Sequence, residues 1–199
     1  RGIITDRYGE VLVGNKLVYT VYLRPRSVVD AENTSKILAN LLSLDEQKLY
    51  EKIKSATVGE ITLKKNVDEN TGKQIRQLNL SGVYLTSDSS RDYPYSEYLA
   101  QVLGYTNIDN QGQNGLEGYY DNYLQGIDGK MLISSDNKGA EINDEYSYIS
   151  AIDGAMMTTT FDVNIQGFCE DAIKIAKEEW NCKRASMLIM DVNDGRILA

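Results

Sequence analysis

Histidine is absent from this 199-residue chain, which removes the commonest general base and the commonest metal ligand together. A histidine-dependent catalytic triad is therefore excluded, and neither a metal nor a cofactor is expected. Cysteine is scarce. Cys169 and Cys182 are the only two; they are too few and too far apart for a zinc knuckle, and they flank a helical pattern rather than a redox turn. Their spacing leaves two readings, a pair of incidental free thiols or one disulfide, and assigns no compartment. There is no run of about 18 apolar residues and no signal-like segment, so nothing in this stretch is expected to span a membrane. Basic blocks are missing too. The formal charge of −8 is spread along the chain without a cluster that could track phosphates, so nucleic acid is not an expected partner.

What is present is enough for a folded protein. At 42% apolar residues, the chain can bury the core of one large domain or two small ones. Glu10 to Val13 and Leu17 to Leu23 alternate around Gly14-Asn15 and read as a hairpin. Asn33 or Thr34 is expected to cap a helix carrying Ile37, Leu38, Leu41 and Leu42 on one face. Ser43 with Glu46 reads as a capping box for a second helix bearing Leu49, Tyr50 and Ile53. Gly59 to Lys65 reads as a strand, Asp68 to Gln77 as a short polar helix, and Val83 to Thr86 as a further strand, so this part is expected to be a small α+β lobe. Beyond it, helices are expected at Ser96 to Leu103 and Glu117 to Leu124. A hairpin is expected from Lys130–Ser134 and Ala140–Ile142 around Asp136-Asn137-Lys138-Gly139. A third region begins near Ala151, with a strand at Met156 to Phe161, a helix from about Asn164 to Trp180 capped by Asp162, and a buried strand at Ala185 to Met190 that Asn193-Asp194-Gly195 turns back.

Several segments carry residues that secondary structure alone does not require. GQNGLEGYYDNYLQGIDG, Gly112 to Gly129, is the most unusual of them, and RGIITDRYG (Arg1 to Gly9) and RDYP (Arg91 to Pro94) go with it. RGIITDRYG resembles the Arg-Gly-x-Ile-x-Asp-Arg-x-Gly motif of class B penicillin-binding proteins, the cell-wall transpeptidases of division, elongation and sporulation. RDYP resembles their Arg-x-Tyr-Pro motif. Gly112 to Gly129 is similar to their Gly-x-x-Gly-Leu-Glu-x-x-Tyr-Asp-x-x-Leu-x-Gly-x-x-Gly segment. TTTFDVNIQ at Thr158 to Gln166 is similar to the start of their transpeptidase domain, with Phe161 where Ile is usual, and MDVNDGRILA at Met190 to Ala199 resembles that domain's first hairpin. Any one of these motifs is weak, but together in this order they are specific. Leu23 to Leu85 matches only in its pattern of helices and strands.

The resemblance implies an α+β fold: an elongated pedestal of antiparallel hairpins with a small helical and strand head lobe, followed by the first helix and strands of a transpeptidase domain. Residues 1–150 would form the non-catalytic pedestal, or dimerisation domain, with the head lobe at 23–85, and 151–199 would begin a truncated transpeptidase domain. No catalytic residue is expected in this chain, because the family's Ser-x-x-Lys, Ser-x-Asn and Lys-Thr-Gly motifs would lie past Ala199. The implied place is the extracytoplasmic face of a bacterial membrane, with an anchor preceding Arg1. Implied partners are the parent's own transpeptidase domain, cell-wall synthesis proteins such as a glycosyltransferase, and a second copy in a homodimer. The alternative is a free-standing extracytoplasmic binding domain with no enzyme attached.

The structural residues that the motifs supply are Arg1, Gly2, Asp6, Arg7, Gly9, Arg91, Tyr93, Pro94, Gly115, Leu116, Glu117, Tyr120, Asp121, Gly126 and Gly129. Arg7 and Arg91 are rigid forks suited to carboxylates, and Asp6, Glu117 and Asp121 are the carboxylates. Glu117 is expected to meet Arg7 or Arg91, or both, in a buried network.

Other signals are weighed against plainer readings. Ser135-Asp136-Asn137-Lys138 satisfies Ser-x-x-Lys and Ser-Asp-Asn at once, but an exposed Lys keeps its proton and the composition is that of a turn. Asp191 to Gly195 lacks the distal Glu of a calcium loop. Gly112, Gly115 and Gly118 lack the Lys-Ser/Thr of a phosphate loop. The fourteen tyrosines are read as amphipathic cover for strand and helix faces in preference to sugar-stacking surfaces. The hairpin from Ala185 to Ala199 is expected to expose apolar edges, and so to favour artificial pairing between copies.

Overall fold

The structure is a computed structural model and describes residues 1–55, 59–95, 98–132 and 147–199. It is mixed α+β and divides into two compact units, Asn15–Ser90 and Arg1–Gly14 with Arg91–Ala199. The chain passes between them within strand β2 (Val11–Leu23) and again within strand β4 (Val83–Asp92), which pairs with β2. The expected hairpin at Gly14-Asn15 is therefore a single continuous strand. A two-residue hairpin turn of the favoured kind needs positive φ, at both central residues in type I′, and neither Gly14 nor Asn15 has it. The turn lies earlier, at Asp6 to Gly9, where Gly9 takes φ +91°.

In the Asn15–Ser90 unit, β2 pairs antiparallel with β3 (Ile61–Asp68). The helices are α1 (Ala31–Leu42), α2 (Glu46–Ser55) and α3 (Glu69–Leu78). Asp30, not Asn33 or Thr34, caps α1 by accepting the Asn33 N–H at 3.1 Å. Asp30 is extended, as an N-cap must be, whereas Thr34 and Ser35 are buried inside the helix. Ser43 is likewise reassigned. It takes a left-handed conformation at the C-terminus of α1, and Asp45 takes over its expected role by accepting the Lys48 N–H at 2.9 Å. The Lys64 ammonium donates to the Leu42 carbonyl at 2.6 Å, placing a cation on one of the helix's free acceptors. The core joins Leu38, Leu42, Leu49, Ile53 and Ile75 to Tyr19, Val21, Leu23 and Val67. Each buried aliphatic side chain contributes about 1.5–3 kcal/mol of burial free energy, so this unit is held mainly by apolar packing.

In the other unit, β1 (Ile4–Thr5) pairs antiparallel with β2 and parallel with β7 (Met157–Thr158). Its core is Ile4, Leu12, Val13, Leu99, Leu103, Leu124 and Phe161. The helix expected from Ser96 is only α4 (Ala100–Leu103), because Leu99 before it is left-handed at φ +55°; positions 96 and 97 lie outside the described residues. The helix expected over Glu117 to Leu124 is broken at Tyr120 into α5 (Gly115–Tyr119) and α6 (Asp121–Leu124). Strand β5 (Lys130–Leu132) pairs antiparallel with β6 (Ser147–Ile149). The second strand and turn expected near 133–146, and the Ser135 to Lys138 segment, lie outside the described residues.

Helix α7 (Val163–Trp180) starts at Asp162, whose carboxylate accepts from Asn164 and Ile165 as expected. Ala185 to Met190 is not a buried strand. Met187, Leu188 and Met190 are exposed, and among the described residues the segment's backbone is tied to the last residues through Met190 and Ile189. A buried strand needs neighbours on both sides, and among the described residues no strand pairs with this one. The turn between them is closed by the Asp191 carboxylate accepting from Asn193. Cys169 and Cys182 are free thiols. Helix α7 explains this: the Cys182 thiol lies against the Ala176 carbonyl at 3.8 Å, seven positions and about 10 Å along the helix from Cys169, beyond the reach of a disulfide. Among the described residues no helix is long and apolar enough to cross a membrane.

Candidate functional site

Two motif arginines, Arg1 and Arg91, converge on Glu117, which has no exposed surface. Helix α5 brings it inward. Gly115, at φ +59°, turns the chain into that helix, and a Cβ there would lie 2.5 Å from the Val102 carbonyl oxygen, so a side chain is excluded by both conformation and space. Arg91, at the end of β4, donates through Nε to Glu117 Oε1 at 2.7 Å, and its second terminal nitrogen lies 2.6 Å from the same oxygen. It also donates to the Gly14 carbonyl at 3.3 Å. Arg1 takes the other carboxylate oxygen, with Nε 2.9 Å from Glu117 Oε2. The same guanidinium reaches Asp121 Oδ1 at 2.7 Å and the Asn110 carbonyl at 3.0 Å. Asp121 in turn accepts the Gly112 N–H at 2.8 Å.

Two guanidinium groups thus face two carboxylates, and the cluster is formally neutral. Its electrostatics follow from burial. Desolvation holds the Arg91 pKa below the usual arginine value against the pull of Glu117, though arginine stays charged. Desolvation also opposes ionisation of Asp121, but the Gly112 N–H and the Arg1 guanidinium outweigh it and keep that carboxyl below its ordinary pKa. Burial pushes the Tyr93 hydroxyl up, with Glu117 adding to the effect. The cluster contains no nucleophile, and its charges are turned on one another rather than toward a ligand. What it can do is clamp Arg1, the end of β4, the Asn110 loop and α5 in one arrangement.

Glu117 therefore meets Arg91, one of the two partners expected for it; the second is Arg1, not Arg7. Arg7 sits on the turn after β1 with its side chain exposed and its guanidinium 5.3 Å from the centre of the Tyr8 ring. The turn uses Arg7's backbone instead, which donates to the Phe161 carbonyl at 2.9 Å. Asp6 is also not an arginine partner. It is buried, and Oδ1 accepts the N–H groups of Tyr8 at 2.7 Å and Glu10 at 2.9 Å, while Oδ2 faces Val163 N, the first residue of α7, at 3.5 Å.

The remaining motif residues are placed as follows. Gly2 donates to the Leu124 carbonyl at 2.8 Å, and a Cβ on it would overlap the Ala155 carbonyl, so only glycine permits that approach. Gly9 closes the Asp6 turn. Tyr93 and Leu116 pack on the core around Ile4, and Pro94 is exposed after Tyr93. Tyr120 lies edge-on to Tyr119 with ring centres 4.8 Å apart. Gly126 and Gly129 pass close to the backbone at Ile152 and Ile149. The Asn110 and Gly14 carbonyls and the Gly112 N–H were not foreseen. Backbone groups carry no residue signature, and only the glycine at 112 hinted that the chain comes close there.

A family profile described as the penicillin-binding protein dimerisation domain matches residues 1–159. Stage V sporulation protein D of Bacillus subtilis is 37% identical over 201 residues, covering 100% of this chain and 31% of the relative. Peptidoglycan D,D-transpeptidase FtsI of Escherichia coli K12 is 31% identical over 208 residues, covering 100% of this chain and 35% of the relative. Among solved structures, the complex between penicillin-binding protein PBP2 and MreC from Helicobacter pylori matches with a TM-score of 0.71 at 22% identity, covering 100% of this chain and 40% of that one. That likeness concerns the fold alone. The chain spans about a third of the length of the curated relatives it matches.

Proposed function

Because this chain belongs to the penicillin-binding protein dimerisation-domain family, we propose that it is the non-catalytic pedestal of a peptidoglycan D,D-transpeptidase. It holds the catalytic domain at the outer face of the bacterial membrane and offers surfaces to other cell-wall synthesis proteins, a glycosyltransferase among them. The observation that carries this reading is the Glu117 cluster. Three motif segments far apart in sequence bring Arg1, Arg91, Glu117 and Asp121 onto one another, which builds a joint. Geometry adds support at α7: the Asp6 turn faces the first N–H of that helix at 3.5 Å, so the opening motif is tied to the region similar to the start of a transpeptidase domain.

Labelled penicillin tests the proposal. No covalent adduct is expected on the chain Arg1–Ala199, and acylation is expected on the longer protein that carries it. An adduct at Ser135 would instead make this chain an enzyme in its own right. A longer protein that takes no label would leave a free-standing binding domain.

A further inference from the structure

Beside the core of the Arg1–Gly14 and Arg91–Ala199 unit lies a recess of about 280 Å³ lined chiefly by Leu12, Tyr93, Tyr95, Tyr98, Leu103 and Tyr105. That is just under the range of about 300–1,000 Å³ usual for ligand pockets, so it suits one ring rather than a whole ligand. The tyrosines are arranged, not scattered. The rings of Tyr95 and Tyr98 stack with centres 5.8 Å apart and planes 16° from parallel. Tyr105 stands at the rim with 56% of its surface exposed, and buried Leu12 and Leu103 line the recess with them. Glu10 stands outside the lining but one hydrogen bond from it: the Tyr95 hydroxyl donates to Glu10 Oε1 at 2.9 Å, which leaves the carboxylate acceptor capacity to spare.

We propose that this recess binds a saccharide ring of a glycan strand. A pyranose has an apolar C–H face and a periphery of hydroxyl and amide donors, which matches flat tyrosine faces beside a carboxylate acceptor. Charge argues the same way. An anionic ligand is repelled by Glu10 and by the chain's −8, whereas neutral hydroxyl donors are not. A proline-rich peptide, the other common guest of an aromatic-lined groove, brings no donor from its proline rings for the Glu10 carboxylate. The inference deepens the pedestal reading and rests on it for the identity of the glycan. It reassigns four of the tyrosines that the sequence pattern assigned to covering faces.

The probe is chitotetraose, a β-1,4-linked N-acetylglucosamine tetramer, titrated into the chain with amide chemical shifts as the readout. Saturable shifts at Leu103, Gly104 and Tyr105 are expected. Tyr105→Ala should weaken binding about tenfold, the scale of one aromatic contact, and Glu10→Gln should weaken it less. Both residues are exposed, so both variants should fold, and Tyr8→Ala, at another exposed tyrosine, should leave affinity unchanged. Absence of saturable shifts up to millimolar sugar overturns the proposal. So does binding that survives Tyr105→Ala, or a polyproline peptide that shifts the same amides while the sugar does not. Penicillin labelling is independent of every one of these outcomes, so the recess can fail while the pedestal reading stands.

Discussion

The two compact units are held together by different physics. The Asn15–Ser90 unit rests on interlocked aliphatic side chains, and its ion pairs, such as Arg24 with Glu60 and Lys73 with Glu69, stand exposed at the surface. The other unit has a smaller apolar cluster and, besides an exposed pair of Arg196 with Asp194, places ion pairs inside, with Glu117, Arg91 and Arg1 side chains almost fully buried. A hydrophobic core tolerates many sequences of similar volume. A buried ionic joint accepts few, because removing one partner leaves an uncompensated charge. The first unit accordingly carries no recognisable motif, whereas the motifs crowd into the second.

The sharpest way to break this comparison is Glu117→Ala. It strands Arg91 and half-strands Arg1 in the interior, and a loss of about 3–5 kcal/mol is expected, read by urea denaturation. Leu38→Ala in the aliphatic core should cost about 2–5 kcal/mol, but through a cavity, so a volume-conserving Leu38→Met should restore most of it. No uncharged substitute should do the same at Glu117 while both arginines remain.

Acid separates the units less strongly. The folded pKa of Asp121 is depressed, so its contribution is complete above the unfolded value of about 3.9 and is lost as pH falls through the folded pKa. Asp68, which accepts the Thr71 N–H, and Asp191, which accepts the Asn193 N–H, are depressed in the same direction. Thermal melts should therefore show Tm steady at mildly acidic pH and falling below about pH 4; a Tm that rises there contradicts the assignment. Smallest of all are the exposed groups. Arg7→Ala and Lys73→Ala should each move Tm by about a degree or less, even though Arg7 belongs to a motif and Lys73 does not.

Much of this was legible in the sequence, for identifiable reasons. Leu38, Leu42, Leu49 and Ile53 recur at helical spacing, and their burial follows from that period. Glu117 and Arg91 stood out as charged residues that no helix or strand required. What failed were choices between neighbours of similar chemistry. Asp30 and Asp45 displaced Asn33 and Ser43 as caps because all four suit the role and only the packed backbone selects one. Gly14-Asn15 looked like a turn because a strand that runs on through a glycine carries no local mark. Arg1 displaced Arg7 because the turn at Asp6 directs Arg7 to solvent, a fact of backbone geometry that residue type does not encode. Ala185 to Met190 has the composition of a buried strand, and that pattern reports an environment the described residues do not supply.

The central claim, that Glu117 is the shared carboxylate of one buried joint, is tested most directly by a double-mutant cycle between Glu117→Ala and Arg91→Met, read as unfolding free energy in urea. The account predicts strong coupling: Arg91→Met is destabilising beside intact Glu117 and neutral or stabilising once Glu117 is gone, with a coupling energy of about 2 kcal/mol or more. Losses that simply add, to within about 0.5 kcal/mol, would show that the two side chains do not act as one unit and would contradict it.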